Sequence, residues 1–244
     1  MTGELSTGEL GTGELFTREA GEPGLPTLVL VHGSGQGGRM WRRQLASLSL
    51  RFHVLAPDLP GFGRSPGPFT MDRAVAGVAG LARRHGSAHV CGISLGSMVA
   101  AGVAAGHPEL VDRLILSGPV IAPARSGPKL LRRYRRWPGW LVRTVTDVPD
   151  RAGWLDVLSE LEAADLSDRL PSITAPTLVL CGRRDRECLP DARTVAAAVP
   201  AAQLVVVPYV GHLVPVTAPK AFDAVVGGFL GGFLGAADRD GPVD

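Results

Sequence analysis

Uninterrupted apolar runs alternate with segments of helical spacing along most of this chain. Thr27–Val31 (Thr-Leu-Val-Leu-Val), Phe52–Ala56, Ala88–Cys91, Arg113–Ser117, Thr177–Cys181 and Gln203–Val207 read as strands. Most lack the in-out alternation of a half-exposed sheet, so they predict strands covered on both faces. Between them, Arg39–Leu48, Met71–His85, Leu95–Gly106, Asp191–Val199 and Pro219–Leu230 place apolar residues at helical spacing. The Leu95–Gly106 segment is apolar nearly all round, which predicts a helix lying inside the molecule. Strands alternating with helices predict an α/β fold: a mostly parallel central sheet with helices on both faces.

The alternation fails in two places. At the N-terminus, Thr-Gly-Glu-Leu recurs at Thr2, Thr7 and Thr12, a period of five that fits neither helix nor strand. Residues 1–14 are therefore read as a low-complexity leader, disordered to about residue 12. The weaker rival is an edge strand formed by the last repeat with Leu15–Glu19. Between residues 120 and 170 the chain carries several prolines, many arginines and Trp137, Trp140 and Trp154, with no strand pattern. The core is read as 15–119 and 171–235, the last helix fraying beyond Leu230 and the tail 236–244 disordered. Interior glycines such as Gly227 cost a helix about 1 kcal/mol each.

Composition narrows the function classes. At 244 residues and 45% hydrophobic, the chain can bury one sizeable core. A net charge of +2 makes no case for nucleic acid. Cys91, Cys181 and Cys188 form neither a disulfide framework nor a zinc pattern, and reduced thiols are expected. With no apolar leader and no run of the length of a membrane helix, a soluble cytoplasmic protein without membrane contact is expected.

In parallel α/β sheets, ligands bind beyond the carboxyl ends of the strands. Those positions hold His32–Gly38, Asp58–Ser65, Ser94, Ser117–Pro119, Gly182–Asp185 and Pro208–His212. Gly92-Ile93-Ser94-Leu95-Gly96 follows a strand and opens a helix, so Ser94 sits at the apex of a sharp turn. A serine hydroxyl needs a base to become a nucleophile, and the base needs an acid to orient it. His212 and Asp185 fill those roles in the chain order Ser94, Asp185, His212. The backbone amides of Leu95 and of Ser34 or Gly35 are the expected oxyanion donors.

The remaining candidates read as structural. His32 is expected to tie down its loop, and Asp58–Ser65 to form a Pro/Gly turn framing the pocket. His53, His85, His89 and His107 read as strand-edge or helix-end residues. No pair shows zinc spacing, and the first glycine-rich loop is not read as a dinucleotide site. No metal and no cofactor are expected.

The motifs HGSGQGG, DLPGFGRS and CGISLGS, followed by the Asp185 and His212 loops, resemble the α/β-hydrolase superfamily in order and content. Within it, CGISLGSMVA and the stretch from ITAPTLVLCGRRD to GHLVPVTAPKAF are similar to 3-oxoadipate enol-lactonases and related small esterases. The resemblance implies an enzyme that hydrolyses a small ester or lactone without a cofactor. Thioesterase, C–C hydrolase and cyclising acyl transferase chemistry stand as alternatives, and a non-catalytic receptor as a more distant one. It also implies that 120–170 is a helical cap over the pocket. Lys129–Trp137 is then read as a solvated helical face with Leu130, Leu131 and Tyr134 inward, rather than as a positive rim. The tryptophans are expected to pack the cap onto the core.

Overall fold

The computed structural model describes residues 14–231. Residues 1–13 of the leader and the tail 236–244 lie outside the described residues. Seven strands form one sheet in the order β1-β3-β2-β4-β5-β6-β7. They are β1 (Thr17–Ala20), β2 (Thr27–Val31), β3 (His53–Pro57), β4 (Ala88–Ile93), β5 (Val111–Ser117), β6 (Thr177–Gly182) and β7 (Ala202–Val207). Every neighbouring pair is parallel except β1 with β3, where Thr17 faces Pro57 and Ala20 faces Val54. The edge strand thus uses most of Leu15–Glu19, with β3 as its partner.

The helices joining the strands are α1 (Arg42–Leu48), α2 (Met71–Arg84) and α3 (Leu95–Gly106), then α4 (Pro123–Ser126), α5 (Pro128–Arg135), α6 (Gly139–Val145) and α7 (Arg151–Ala163). They continue with α8 (Leu189–Ala198), α9 (Val214–Thr217) and α10 (Pro219–Leu230). One core lies between the sheet and α2, α3 and α8, the other between the sheet and α1 and α10. The helix expected from Arg39 opens instead as a 3₁₀ turn, Gly38–Trp41, before α1. In α2 the Thr70 side chain caps the helix by accepting from Arg73 N, and Ala74, Val78, Leu81 and Ala82 bury its inner stripe.

Helix α3 is buried from Leu95 to Ala104, as its all-round apolar sequence predicts. Its close seating depends on two glycines. A Cβ on Gly92 would stand 2.0 Å from Gly96 O, and one on Gly96 would stand 2.3 Å from Val31 O. Any side chain at either position would push the helix off the sheet, and with it the residue at the turn.

The segment between β5 and β6 forms α4–α7, and Leu130, Leu131, Tyr134 and Leu161 of these helices line a cavity together with Ser94 and Leu95. Trp137 and Trp154 stack with rings 5.7 Å apart, and Trp154 is buried. Trp140 departs from the expectation that the tryptophans pack this segment inward: it is 64% exposed. It lies one turn before Arg143, on the outer side of α6, while Val142 takes the inner side.

Candidate active site

Ser94 occupies the turn between β4 and α3 with φ 55° and ψ −119°. This left-handed backbone is unfavourable for a residue with a Cβ, on the order of 1–3 kcal/mol, and persists only where the surroundings impose it. Here Ser94 N donates to Ser117 O at 3.0 Å, and Ser94 O accepts from Ser97 N and the Ser97 hydroxyl at 2.9 and 2.6 Å. The buried Ser97 thus gains a role that sequence reading missed: its hydroxyl clamps the carbonyl of the strained residue.

The loop after β6 carries Asp185, and the loop after β7 carries His212. Asp185 Oδ2 lies 2.7 Å from His212 Nδ1, while its Oδ1 accepts from Cys188 N at 3.2 Å. Burial opposes ionisation of Asp185, but the hydrogen bond and attraction from His212, with help from Cys188, more than offset it. Its pKa lies below the usual carboxylate range. The His212 side chain is 35% exposed and rests on Gly118, where an added Cβ would meet the ring at 3.0 Å. Asp185 and His212 are therefore joined. Among the described residues no hydrogen bond joins Ser94 to His212.

Ser34, Ser94 and Leu95 line one cavity of about 70 Å³ together with Val120, Leu131 and Cys188. Leu95 is the first residue of α3, so its amide has no partner within the helix. Ser34 and Gly35 are the two candidates for the second amide. Gly35 turns toward the inserted helices: its carbonyl accepts from Asp147 N at 3.0 Å, and an added Cβ would meet Thr146 and Trp154. Ser34 lines the cavity.

His32 and Asp58 hold this loop in place. His32 is fully buried; its Nε2 accepts from Leu59 N, and its Nδ1 faces Gly33 O, both at 2.9 Å. These partners fix the neutral tautomer with the proton on Nδ1. Burial lowers the His32 pKa, although nearby acids pull the other way. Gly33, Gly35 and Gly38 do have G-x-G-x-x-G spacing, with Asp58 after the next strand. Asp58 has no oxygen available to a ribose, however. Its Oδ1 accepts from Gly38 N and Arg18 at 2.7 Å each, and its Oδ2 from Arg64 N at 3.0 Å.

Cys188 is the second residue that sequence reading passed over. Its Sγ lies 3.5 Å from His212 Nδ1, in the cavity wall. Burial, with Asp185 nearby, pushes its pKa well above the ordinary thiol value, so it stays a neutral thiol. Cys181, beside Asp185, is pushed up to about 12, chiefly by burial. The only signal in the sequence is the position of Cys188, three residues beyond the acid. Asp185, Cys188 and His212 bring three possible metal donors within 4.8 Å of one another. The 2.7 Å between Asp185 and His212 is a hydrogen-bond distance, whereas two nitrogen or oxygen ligands of one tetrahedral zinc stand about 3.3 Å apart. As arranged, the pair fits a proton rather than an ion.

The fold agrees with that of known proteins. Residues 28–225 match the model of the alpha/beta hydrolase family. The RutD protein of Yersinia enterocolitica, named for carbamate hydrolysis, is 29% identical over 85% of this chain and 88% of its own. The enol-lactonase from Burkholderia xenovorans superposes with a TM-score of 0.77 at 26% identity, over 89% of this chain and 96% of its own. A thermophilic esterase from Thermogutta terrifontis superposes with a TM-score of 0.76 at 27% identity, over 90% and 93%. This chain belongs to the alpha/beta hydrolase family and is a hydrolase.

Proposed function

We propose that the chain is a serine hydrolase acting on small carboxylic esters or lactones through an acyl-enzyme. The observation that carries the reading is the Asp185–His212 hydrogen bond, standing on the same end of the sheet as the strained Ser94. His212 Nε2 takes the Ser94 proton as Oγ attacks the acyl carbon, and a new Oγ–C bond forms. Asp185 holds the proton on Nδ1, orients the ring and stabilises the imidazolium. The amides of Leu95 and Ser34 receive the developing oxyanion. When the bond to the leaving group breaks, the imidazolium gives its proton to the leaving oxygen. Water, deprotonated by His212, then attacks the acyl carbon, and the acid and free Ser94 are released.

Helices α4–α7 act as the cap over this site. Leu130, Leu131, Val120 and Leu161 give the cavity an apolar wall that fits a short acyl chain. The step from free enzyme to complex brings Ser94 and His212 into hydrogen-bond reach, as catalytic contacts often tighten only with substrate bound. The test is Ser94→Ala assayed on aryl esters, a lactone and a carbamate. Loss of turnover on the order of 10⁶ with an unchanged melting temperature supports the reading. Near-parent turnover on any substrate that the parent hydrolyses would remove it.

A further inference from the structure

Helix α5 has two faces with opposite chemistry. Leu130, Leu131 and Tyr134 line the cavity at Ser94. Lys129, Arg132, Arg133 and Arg136, with Trp137 at one end, line a separate open groove of about 420 Å³. Residues 128–143 contain six cations and no acid, although the whole chain nets only +2. Arg135 is matched by Glu162. Among the described residues, no carboxylate pairs with Lys129, Arg132, Arg133 or Arg136.

This grouping is unfavourable for the helix by itself. Lys129 and Arg133, and Arg132 and Arg136, stand four residues apart, where like charges repel along a helix. The neighbouring α7 has the opposite bias, with Asp156, Glu160 and Glu162 against Arg151, yet of these acids Glu162 is matched to Arg135 and none to the groove cations. Four cations around one concave volume are relieved by an anion of matching charge. A lone carboxylate would use one of them and leave most of the groove empty. Clustered phosphates match both the number of charges and the forked donors of arginine.

We propose that this groove binds phosphates carried by the leaving group of the substrate. The substrate is then an acyl ester or thioester whose alcohol or thiol part bears at least two phosphate groups. The acyl end lies under α5 at Ser94 and the phosphates lie on its outer face. Crossing one helix requires a linker of about 10 Å between the two ends. This inference rests on the acyl-hydrolase reading for its substrate, but the groove itself can be tested without catalysis.

The test pairs coenzyme A with pantetheine, which has the same thiol arm without the nucleotide phosphates. Calorimetry on the intact protein should show coenzyme A binding and none by pantetheine. Binding should weaken at least about tenfold between low and high salt, as exposed charge contacts are screened. Inorganic pyrophosphate should compete. Binding should disappear in Arg132→Glu/Arg136→Glu and in the milder Arg132→Gln/Arg136→Gln, and persist in Arg84→Glu, a charge reversal on α2. Equal binding of both thiols, no binding of either, or parent-like binding by both double variants overturns the proposal. So does co-sedimentation with phosphatidylglycerol vesicles in the absence of coenzyme A and pyrophosphate binding, which assigns the groove to a lipid surface.

Kinetics supply the second arm. The kcat/KM for butyryl-coenzyme A should exceed that for S-butyryl-pantetheine at least about tenfold at low salt, and the double variants should bring the ratio toward one. If coenzyme A binds yet neither thioester nor any ester is hydrolysed, the groove stands and the acyl-hydrolase reading fails.

Discussion

Two buried carboxylates, Asp58 and Asp185, stand just beyond the ends of β3 and β6, toward opposite edges of the same sheet, and each has a histidine nearby. Asp58 is fully buried and its partners are backbone amides and the permanent cation Arg18. Nearby, His32 has both ring nitrogens engaged with backbone and is inaccessible. Asp185 instead bonds a histidine that is one third exposed and whose other ring nitrogen has no hydrogen-bond partner among the described residues. Like positions in the fold therefore have unlike surroundings. Fixed partners on every atom suit a brace, whereas a partly exposed histidine partner suits the acid–base role proposed for Asp185 and His212.

Substitutions that exchange the two roles would break this comparison. His212→Gln should lower kcat by on the order of 10⁶ while leaving the melting temperature nearly unchanged. Asp185→Asn should follow with a loss of about 10⁴, because the wrong tautomer is then held. On the other side, Asp58→Ala should cost about 3–5 kcal/mol, since Arg18 and two amides lose their buried acceptor. The folded fraction should keep kcat within about threefold; a catalytic loss as large as that of Asp185→Asn would contradict the division. Ser97→Ala should be the mildest, near 1 kcal/mol, for loss of the hydroxyl bond to Ser94 O. Chemical denaturation and steady-state kinetics measured side by side read all four.

Acid sharpens the contrast. Burial is the chief cause that lowers the pKa of His32, His85 and His89 below 6.5. The unfolded chain therefore binds more protons than the folded one below that value. Stability from these groups is full above pH 6.5 and is lost as pH falls toward their folded values. The lowered pKa of Asp185 acts in the same direction, but only as pH falls below the ordinary carboxylate value of 3.8. Melting temperatures should fall from pH 7 to pH 5, and a flat profile would contradict the buried neutral state of His32.

The sequence made one half of this comparison readable and concealed the other. Continuous apolar runs located six of the seven strands, because strands covered on both faces leave an unmistakable pattern. The order Ser94, Asp185, His212 at strand ends marked the candidate site for the same topological reason, and the structure joins Asp185 to His212. The first edge strand was ambiguous, since a short half-exposed segment such as Thr17–Ala20 carries little pattern, and its pairing with β3 is a long-range choice. The bonds of Asp58 to Arg18 and Gly38 likewise depend on how distant loops meet. So do the placement of the Cys188 thiol beside His212 and the exposure of Trp140. Periodicity reports which face is covered, not which side chain covers it.

The central claim is that Ser94 is the nucleophile served by His212 rather than by the braced His32. Reaction with a fluorophosphonate probe, followed by peptide mass spectrometry, tests it most directly. The adduct should fall on Ser94 in the parent protein and in His32→Gln wherever that variant is folded, and labelling should vanish in His212→Gln. An adduct on any other residue, or full labelling of Ser94 in folded His212→Gln, would contradict the account.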